Sequence, residues 1–171
     1  MRIGMMIGEG AGESPSMDDV IRRAQRAEEV GLDTAWLAQI FSHDAINLLA
    51  LVGRETKRIE LGTAVVPTYP RHPAVMAQAA LTTQAACQGR FTLGIGLSHK
   101  MVIEGMYGLP YKRHMAHMRK YLSVLKPLLR GEAVKYKGEE YRANMEVAVA
   151  GAEPVPLVLA ALGPKMLDLC G

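Results

Sequence analysis

Ile59-Glu60-Leu61-Gly62-Thr63-Ala64-Val65-Val66, then Pro67, Pro70 and Pro73, then the alanine-rich run from His72 to Cys87, is the stretch that decides the fold. Its first part is rich in β-branched residues, which fit a pleated strand. The prolines force an irregular loop, since each fixes φ and removes a backbone donor. Pro73 suits the first turn of a helix, where a missing N–H loses no partner. Strand, loop and helix make one βα unit, and outward from it the unit recurs. Upstream, residues 2–8 are an apolar run that reads as a buried strand feeding Gly8-Glu9-Gly10-Ala11-Gly12. Ser16 starts a helix with Asp18 and Asp19 in its first turn, Val20, Ala24, Ala27 and Val30 at helical spacing, and Gly31 at its C-terminal cap. Thr34 to Ala38 is a second strand and Asp44 to Thr56 a second helix. Downstream, Phe91 to Leu97 is a fourth strand, residues 98–112 a long loop, and Tyr111 to Leu129 a fourth helix. Val134 to Arg142 predicts a hairpin turning at Lys137-Gly138-Glu139. Val155 to Ala161 is a fifth strand, and a fifth helix begins between Gly163 and Leu169.

Continuous apolar strands alternating with helices predict an α/β fold with parallel strands covered on both faces. A doubly wound sheet and a β/α barrel compete. A complete TIM barrel takes about 250 residues for its eight units. The 171 residues here hold about five units, so the barrel reading is a partial one, a single domain over residues 1–171. Such a piece is expected to be a fragment or a subunit that needs a partner, unless it works alone.

The composition is that of a soluble globular protein, 49% hydrophobic and 22% charged. Net charge is +3, with the charges scattered, which predicts no nucleic-acid surface and no membrane surface. No run approaches the ~18 apolar residues of a membrane span. Cys87 and Cys170 make no disulfide framework and no metal spacing; a reducing, cytoplasmic compartment is expected.

Gly8-x-Gly10 after the first strand invites a dinucleotide reading, but Glu13 stands where the third glycine belongs and the helix starts only after Pro15. His114 and His117 share a helix face without further ligands nearby and read as a solvated pair. In β/α folds chemistry sits where strands end. Those ends are Gly8-Glu9, Ala38-Gln39, Ala64 to Pro67, Leu97-Ser98-His99, and Ala160 to Gly163. They are mostly small, apolar or neutral, a lining that suits a flat apolar ring held by backbone contacts.

Several blocks add a specific likeness. Leu61 to Pro67 followed by Arg71-His72-Pro73-Ala74-Val75-Met76-Ala77-Gln78 resembles the third βα unit of the bacterial luciferase-like superfamily. Gly89-Arg90-Phe91-Thr92-Leu93-Gly94-Ile95-Gly96 resembles its fourth strand, and Pro156 to Pro164 its fifth strand and turn. Glu104 to Gly108, Leu128 to Gly131 and Gly138 to Arg142 continue it in family order. The details lie closest to the branch that uses coenzyme F420, a deazaflavin. That resemblance implies hydride transfer between coenzyme F420 and a small-molecule organic substrate. An FMN-dependent monooxygenase on the same fold is the nearest alternative.

The resemblance also implies site residues. A non-prolyl cis peptide behind the central ring falls at Ala64–Val65. Ala38-Gln39 matches an Asp-His pair of the sugar-phosphate members, in which the histidine is catalytic. Gln39 has no acid or base function at neutral pH, so it is expected to donate a hydrogen bond, and the sugar-phosphate reaction is not expected. Leu97-Ser98-His99 matches a backbone contact followed by a glutamate proton donor, which makes His99 the acid/base candidate; imidazole is the side chain suited to proton shuttling near neutral pH. Leu162-Gly163 matches the turn that meets the cofactor's phosphate-bearing tail. A homodimer is compatible with the resemblance alone. Glu9 and Arg71 are candidates for the pocket mouth without a spacing argument, and His43 is expected to start the second helix.

Overall fold

The computed structural model describes residues 1–9 and 14–171. The glycine-rich stretch expected after the first strand therefore lies partly outside the described residues, at Gly10, Ala11 and Gly12. The elements are β1 (Gly4–Met6), α1 (Met17–Glu29), β2 (Thr34–Leu37), α2 (Ala45–Glu55), β3 (Glu60–Thr63), β4 (Val66–Pro67), α3 (Pro73–Ala86) and β5 (Phe91–Gly96). A π-helical segment (Met101–Met106) follows, then α4 (His114–Leu129), a β6–β7 hairpin (Val134–Lys137 and Arg142–Met145), β8 (Leu157–Leu159) and α5 (Pro164–Cys170).

Local sequence explains the helix ends. Ser16 and Asp19 form a reciprocal capping box on α1, with Asp19 N–H donating to Ser16 Oγ at 3.2 Å and Ser16 N–H to Asp19 Oδ2 at 3.0 Å. Gly31, at φ 85°, closes the other end: its N–H reaches Glu28 O and that of Leu32 reaches Ala27 O. His72 caps α3 through its ring, and Pro73 takes the first turn.

The strands are parallel and lie side by side in chain order: β1 on β2, β2 on β3, β3 on β5, β5 on β8. The helices follow the same order, α1 packing on α2, α2 on α3, α3 on α4 and α4 on α5. A doubly wound sheet would reverse its strand order at a switch point. Among the described residues there is none, so the fold is α/β with five parallel strands of a partial (β/α) barrel.

Third-strand geometry departs from a single run over 59–66. β3 pairs β5 at Leu61↔Phe91 and Gly62↔Thr92, and β4 pairs the same strand at Val66↔Ile95 and Pro67↔Gly96. Between these rungs three residues, Thr63 to Val65, stand opposite two, Leu93 and Gly94. That is a β-bulge, and within it the Ala64–Val65 peptide is cis, where the resemblance placed it. The Thr63 hydroxyl fills the gap, donating to Gly94 O and accepting from Gly94 N–H, both at 2.8 Å.

Alternate residues, Ala35 and Leu37, Leu61, and Phe91, Leu93 and Ile95, are buried in the main core. Each large side chain among them contributes about 1.5–3 kcal/mol by leaving water. The opposite face carries small residues and Trp36, whose ring lies over Gly62. The expectation of two covered faces is thus corrected. β1 is exposed rather than buried, with Met6 at 52% and Val158 of β8 at 46%, because among the described residues β1 and β8 are the outer strands, each paired on one side only. Val30, at helical spacing with the buried Val20, Ala24 and Ala27, is itself exposed as the C-cap of α1. The loop expected over 98–112 contains the π-helical turn, and the second hairpin strand runs on to Met145.

Two charged side chains fix the α2–β3 turn. The Arg90 guanidinium donates to Gly53 O and Ile59 O at 2.8 Å, Thr56 O at 2.9 Å and Thr56 Oγ1 at 3.2 Å. The Glu28 carboxylate accepts the N–H groups of Lys57, Arg58 and Ile59. Burial pushes the Glu28 carboxyl up, but these three donors outweigh it and hold it below its ordinary value.

Candidate active site at the strand ends

Two adjoining cavities open at the C-terminal ends of β2, the β3–β4 bulge, β5 and β8. The first, about 360 Å³, is floored by Ala64 and Val65 and walled by Ala38, Gln39, Ser98 and His99. Ile40, Phe41, Val102 and Tyr107 complete its mouth. The second, about 370 Å³, shares Val65, Ser98 and His99 and continues along Leu97, Tyr111, Ala160 and Leu162. The fold therefore gathers Gln39, His99, Ala38, Ala64, Val65, Leu97, Ser98 and Leu162 around one continuous depression. Gly163 lines neither cavity; it caps α5 at φ 84°.

Among the described residues, no Asp, Glu, Lys or Arg lines either cavity. The charges considered for the mouth are engaged elsewhere. Arg71 pairs with Asp44, which also caps α2 by accepting from Asn47 N–H at 3.0 Å. Glu9 accepts from the Ser42 hydroxyl. His43 does not cap α2; its Nε2 lies 3.0 Å from Pro15 O.

Gln39 is half-buried, and its Oε1 accepts the Ala45 N–H at 2.8 Å. The contact caps α2 a second time and fixes the amide orientation, because only the oxygen can accept from a backbone N–H. The amide nitrogen is left as a donor. His99 is exposed at the ridge between the cavities. Ser98 before it adopts φ 63°, and its carbonyl accepts the Tyr111 hydroxyl at 2.9 Å. Tyr111 N–H in turn reaches Glu104 Oε1 at 3.2 Å, tying the strand end to the π-helical turn. Sequence reading passed over Phe41, Tyr107 and Tyr111; their proximity to Gln39 and His99 along the chain was the available signal.

His114 and His117 do not form a solvated pair. His117 is buried and stacks on Tyr69, with ring centroids 3.9 Å apart and planes 4° from parallel. Its Nε2 lies 2.9 Å from Thr68 Oγ1 and its Nδ1 3.2 Å from Tyr141 Oη. The hairpin and the loop after β4 close over α4 and bury it. Burial lowers the His117 pKa, against the opposing pull of Glu140. Burial likewise pushes the Tyr69 hydroxyl up to about 12 and the Cys87 thiol up to about 11. Among the described residues no three His, Cys, Asp or Glu side chains are placed to hold a metal, and no helix is long and apolar enough to cross a membrane.

Comparison with known proteins gives the same architecture. The profile of the family described as luciferase-like monooxygenase matches residues 1–171. An F420-dependent glucose-6-phosphate dehydrogenase of Amycolatopsis mediterranei is 31% identical over 167 residues, covering 90% of this chain and 50% of that protein. The coenzyme F420-dependent tetrahydromethanopterin reductase of Methanopyrus kandleri superposes with a TM-score of 0.79 at 22% identity, over 97% of this chain and 51% of that one. The FMN-bound oxygenating component of 3,6-diketocamphane monooxygenase from Pseudomonas putida gives 0.78 at 20% identity, over 93% and 51%. The chain spans about half the length of the curated relatives it matches. With its strand order, its bulge and a profile match along its whole length, the chain belongs to the luciferase-like monooxygenase family, an oxidoreductase superfamily.

Proposed function

We propose that this chain forms the ring-binding part of a coenzyme F420-dependent oxidoreductase, which moves a hydride between the deazaflavin and a small organic substrate. The observation that carries the reading is the depression over Ala64–Val65, walled among the described residues without a carboxylate, ammonium or guanidinium. A flat ring binds by shape and backbone contact, and such walls fit it. The F420-dependent relatives by name lend the choice of cofactor. When bound, the deazaflavin supplies the hydride chemistry.

The residues of the chain then divide the work. Ala64 and Val65, at the cavity floor, would support the ring, and Ala38, Leu97 and Ser98 would help to hold it. Leu162, in the second cavity, and Gly163 next to it in the chain would hold the cofactor's phosphate-bearing tail. Gln39 donates a hydrogen bond through its amide nitrogen. His99, on the ridge, exchanges a proton with the substrate.

Titration of the full chain with F420 and, separately, with FMN tests the assignment by fluorescence. Saturable F420 binding is expected. FMN binding without F420 binding refutes it and favours the monooxygenase alternative. In an active preparation, His99→Ala is expected to lower turnover by about 10²–10⁴-fold, the range of a lost acid/base group; unchanged turnover removes His99 from the chemistry.

A further inference from the structure

The mouth of the first cavity is apolar on both sides. Ile40 and Phe41, after β2, are 41% and 60% exposed. Tyr107, at the end of the π-helical turn, is 44% exposed, and Val102 faces the same space. Large side chains exposed on two separate loops around one opening are a recognition surface more than scattered surface hydrophobics. Charged groups near this opening already have partners: Arg71 with Asp44, Glu9 with Ser42, and Lys100 with Glu104 at 3.7 Å. Among the described residues a phosphate or carboxylate buried here would meet no lysine or arginine, and a buried anion without such a partner is disfavoured.

The polar complement is equally specific. Gln39 spends its Oε1 on the Ala45 N–H, so what it offers the cavity is a donor. Besides Ser98, His99 and the Tyr107 hydroxyl the described wall is apolar and holds no lysine or arginine, and a fixed donor in such a wall suits a neutral oxygen acceptor. We infer that the first cavity takes an uncharged, mainly apolar carbonyl compound or the corresponding alcohol. Its hydrocarbon body lies between Phe41 and Tyr107, and its oxygen accepts from Gln39 Nε2. The inference rests on the function proposed above and narrows its substrate class, away from the sugar phosphates.

The test uses the full chain without cofactor and a matched pair of ligands, 2-decanone and decanoate, followed by saturation-transfer NMR and competition. The ketone is expected to bind at least about tenfold more tightly than the carboxylate, given a wall without lysine or arginine among the described residues. Two variants probe the two halves of the site. Phe41→Asp, at an exposed position, is expected to weaken ketone binding about tenfold, while Phe41→Leu stays near the parent. Gln39→Glu keeps an acceptor for the Ala45 N–H and so keeps the cap, but removes the donor; it is expected to weaken ketone binding about tenfold as well. The inference is overturned if decanoate binds as well as the ketone, if the ketone does not bind, or if both Phe41→Asp and Gln39→Glu bind it like the parent. F420 titration of the same samples separates the two claims. Selective ketone binding without F420 binding refutes the cofactor and keeps the substrate wall. F420 binding without ketone selectivity refutes the substrate wall alone.

Discussion

Thr63→Val removes one oxygen atom from beneath the cleft and leaves shape almost unchanged. Thr63 is 1% exposed. Backbone pairing between β3 and β5 stops at Gly62↔Thr92, and pairing to β5 resumes only at Val66↔Ile95. Across that gap the Thr63 hydroxyl serves both the N–H and the carbonyl of Gly94, each at 2.8 Å. Valine cannot do either. An orphaned buried N–H costs about 1–3 kcal/mol, and the weakened carbonyl adds about 1 kcal/mol, for a loss of about 2–4 kcal/mol. Area alone gives the opposite sign, because a methyl replaces a hydroxyl in a buried site. Thr63→Ser is the control: it keeps the hydroxyl and loses a methyl, costing about 1 kcal/mol.

Urea unfolding reads the difference. The midpoint should fall with an unchanged m-value, in the order parent, Thr63→Ser, Thr63→Val. On heating, a loss of about 2–4 kcal/mol lowers Tm by about 5–12 °C in a chain of this size. A Thr63→Val protein as stable as the parent, or more stable than the Thr63→Ser protein, refutes the idea that a side chain replaces the missing rung.

Three other substitutions probe the contacts around this core. In Gly94→Ala the new Cβ would stand 1.9 Å from the Thr63 carbonyl oxygen, so β3 and β5 must separate; a loss of about 3 kcal/mol or more is expected, and a parent-like urea midpoint contradicts it. Arg90→Met keeps the stem and strips the donors from the carbonyls of Gly53, Thr56 and Ile59; about 2–4 kcal/mol should be lost, with Arg90→Lys recovering only part, and full recovery by lysine would show that charge rather than the fork geometry matters. His117 has its pKa lowered from 6.5, first by burial. Below about pH 6.5 the unfolded chain takes up a proton that the folded chain resists, so stability falls as pH drops from there toward the folded value. His117→Gln should flatten that slope in urea midpoints taken between about pH 5 and 7.5, and equal slopes in both proteins exclude the assignment.

What the sequence made legible was whatever is decided within a turn or a strand. The Ser16 cap needs Asp19, three residues away; Gly31 and Leu32 close α1 on the carbonyls of Glu28 and Ala27; Pro73 and His72 begin α3 side by side. Partners distant in the chain were illegible, and His117 is the plainest case. Its environment is built by Thr68, 49 residues before it, and Tyr141, 24 residues after it, so spacing on its own helix described the wrong surroundings. Strand order was illegible for the same reason: the βα repeat is common to open sheets and barrels, and only the pairing of β3 with β5 and of β5 with β8 separates them.

Gln39 combines both cases. Its place after β2 could be read from the strand pattern, and its lack of acid or base function follows from its side chain. What could not be read is that its oxygen is committed to the Ala45 N–H, six residues on, and that Asp44 caps the same helix beside it. The helix that follows therefore sets which end of the amide the cavity meets. A histidine at this position would have to exchange that cap for proton chemistry, or perform both through its two ring nitrogens. Gln39→His makes the trade measurable. With Asp44 still in place, the loss should be about 1 kcal/mol, the value of one cap. A much larger loss would mean that the amide holds the loop of Ile40 and Phe41 as well as the helix.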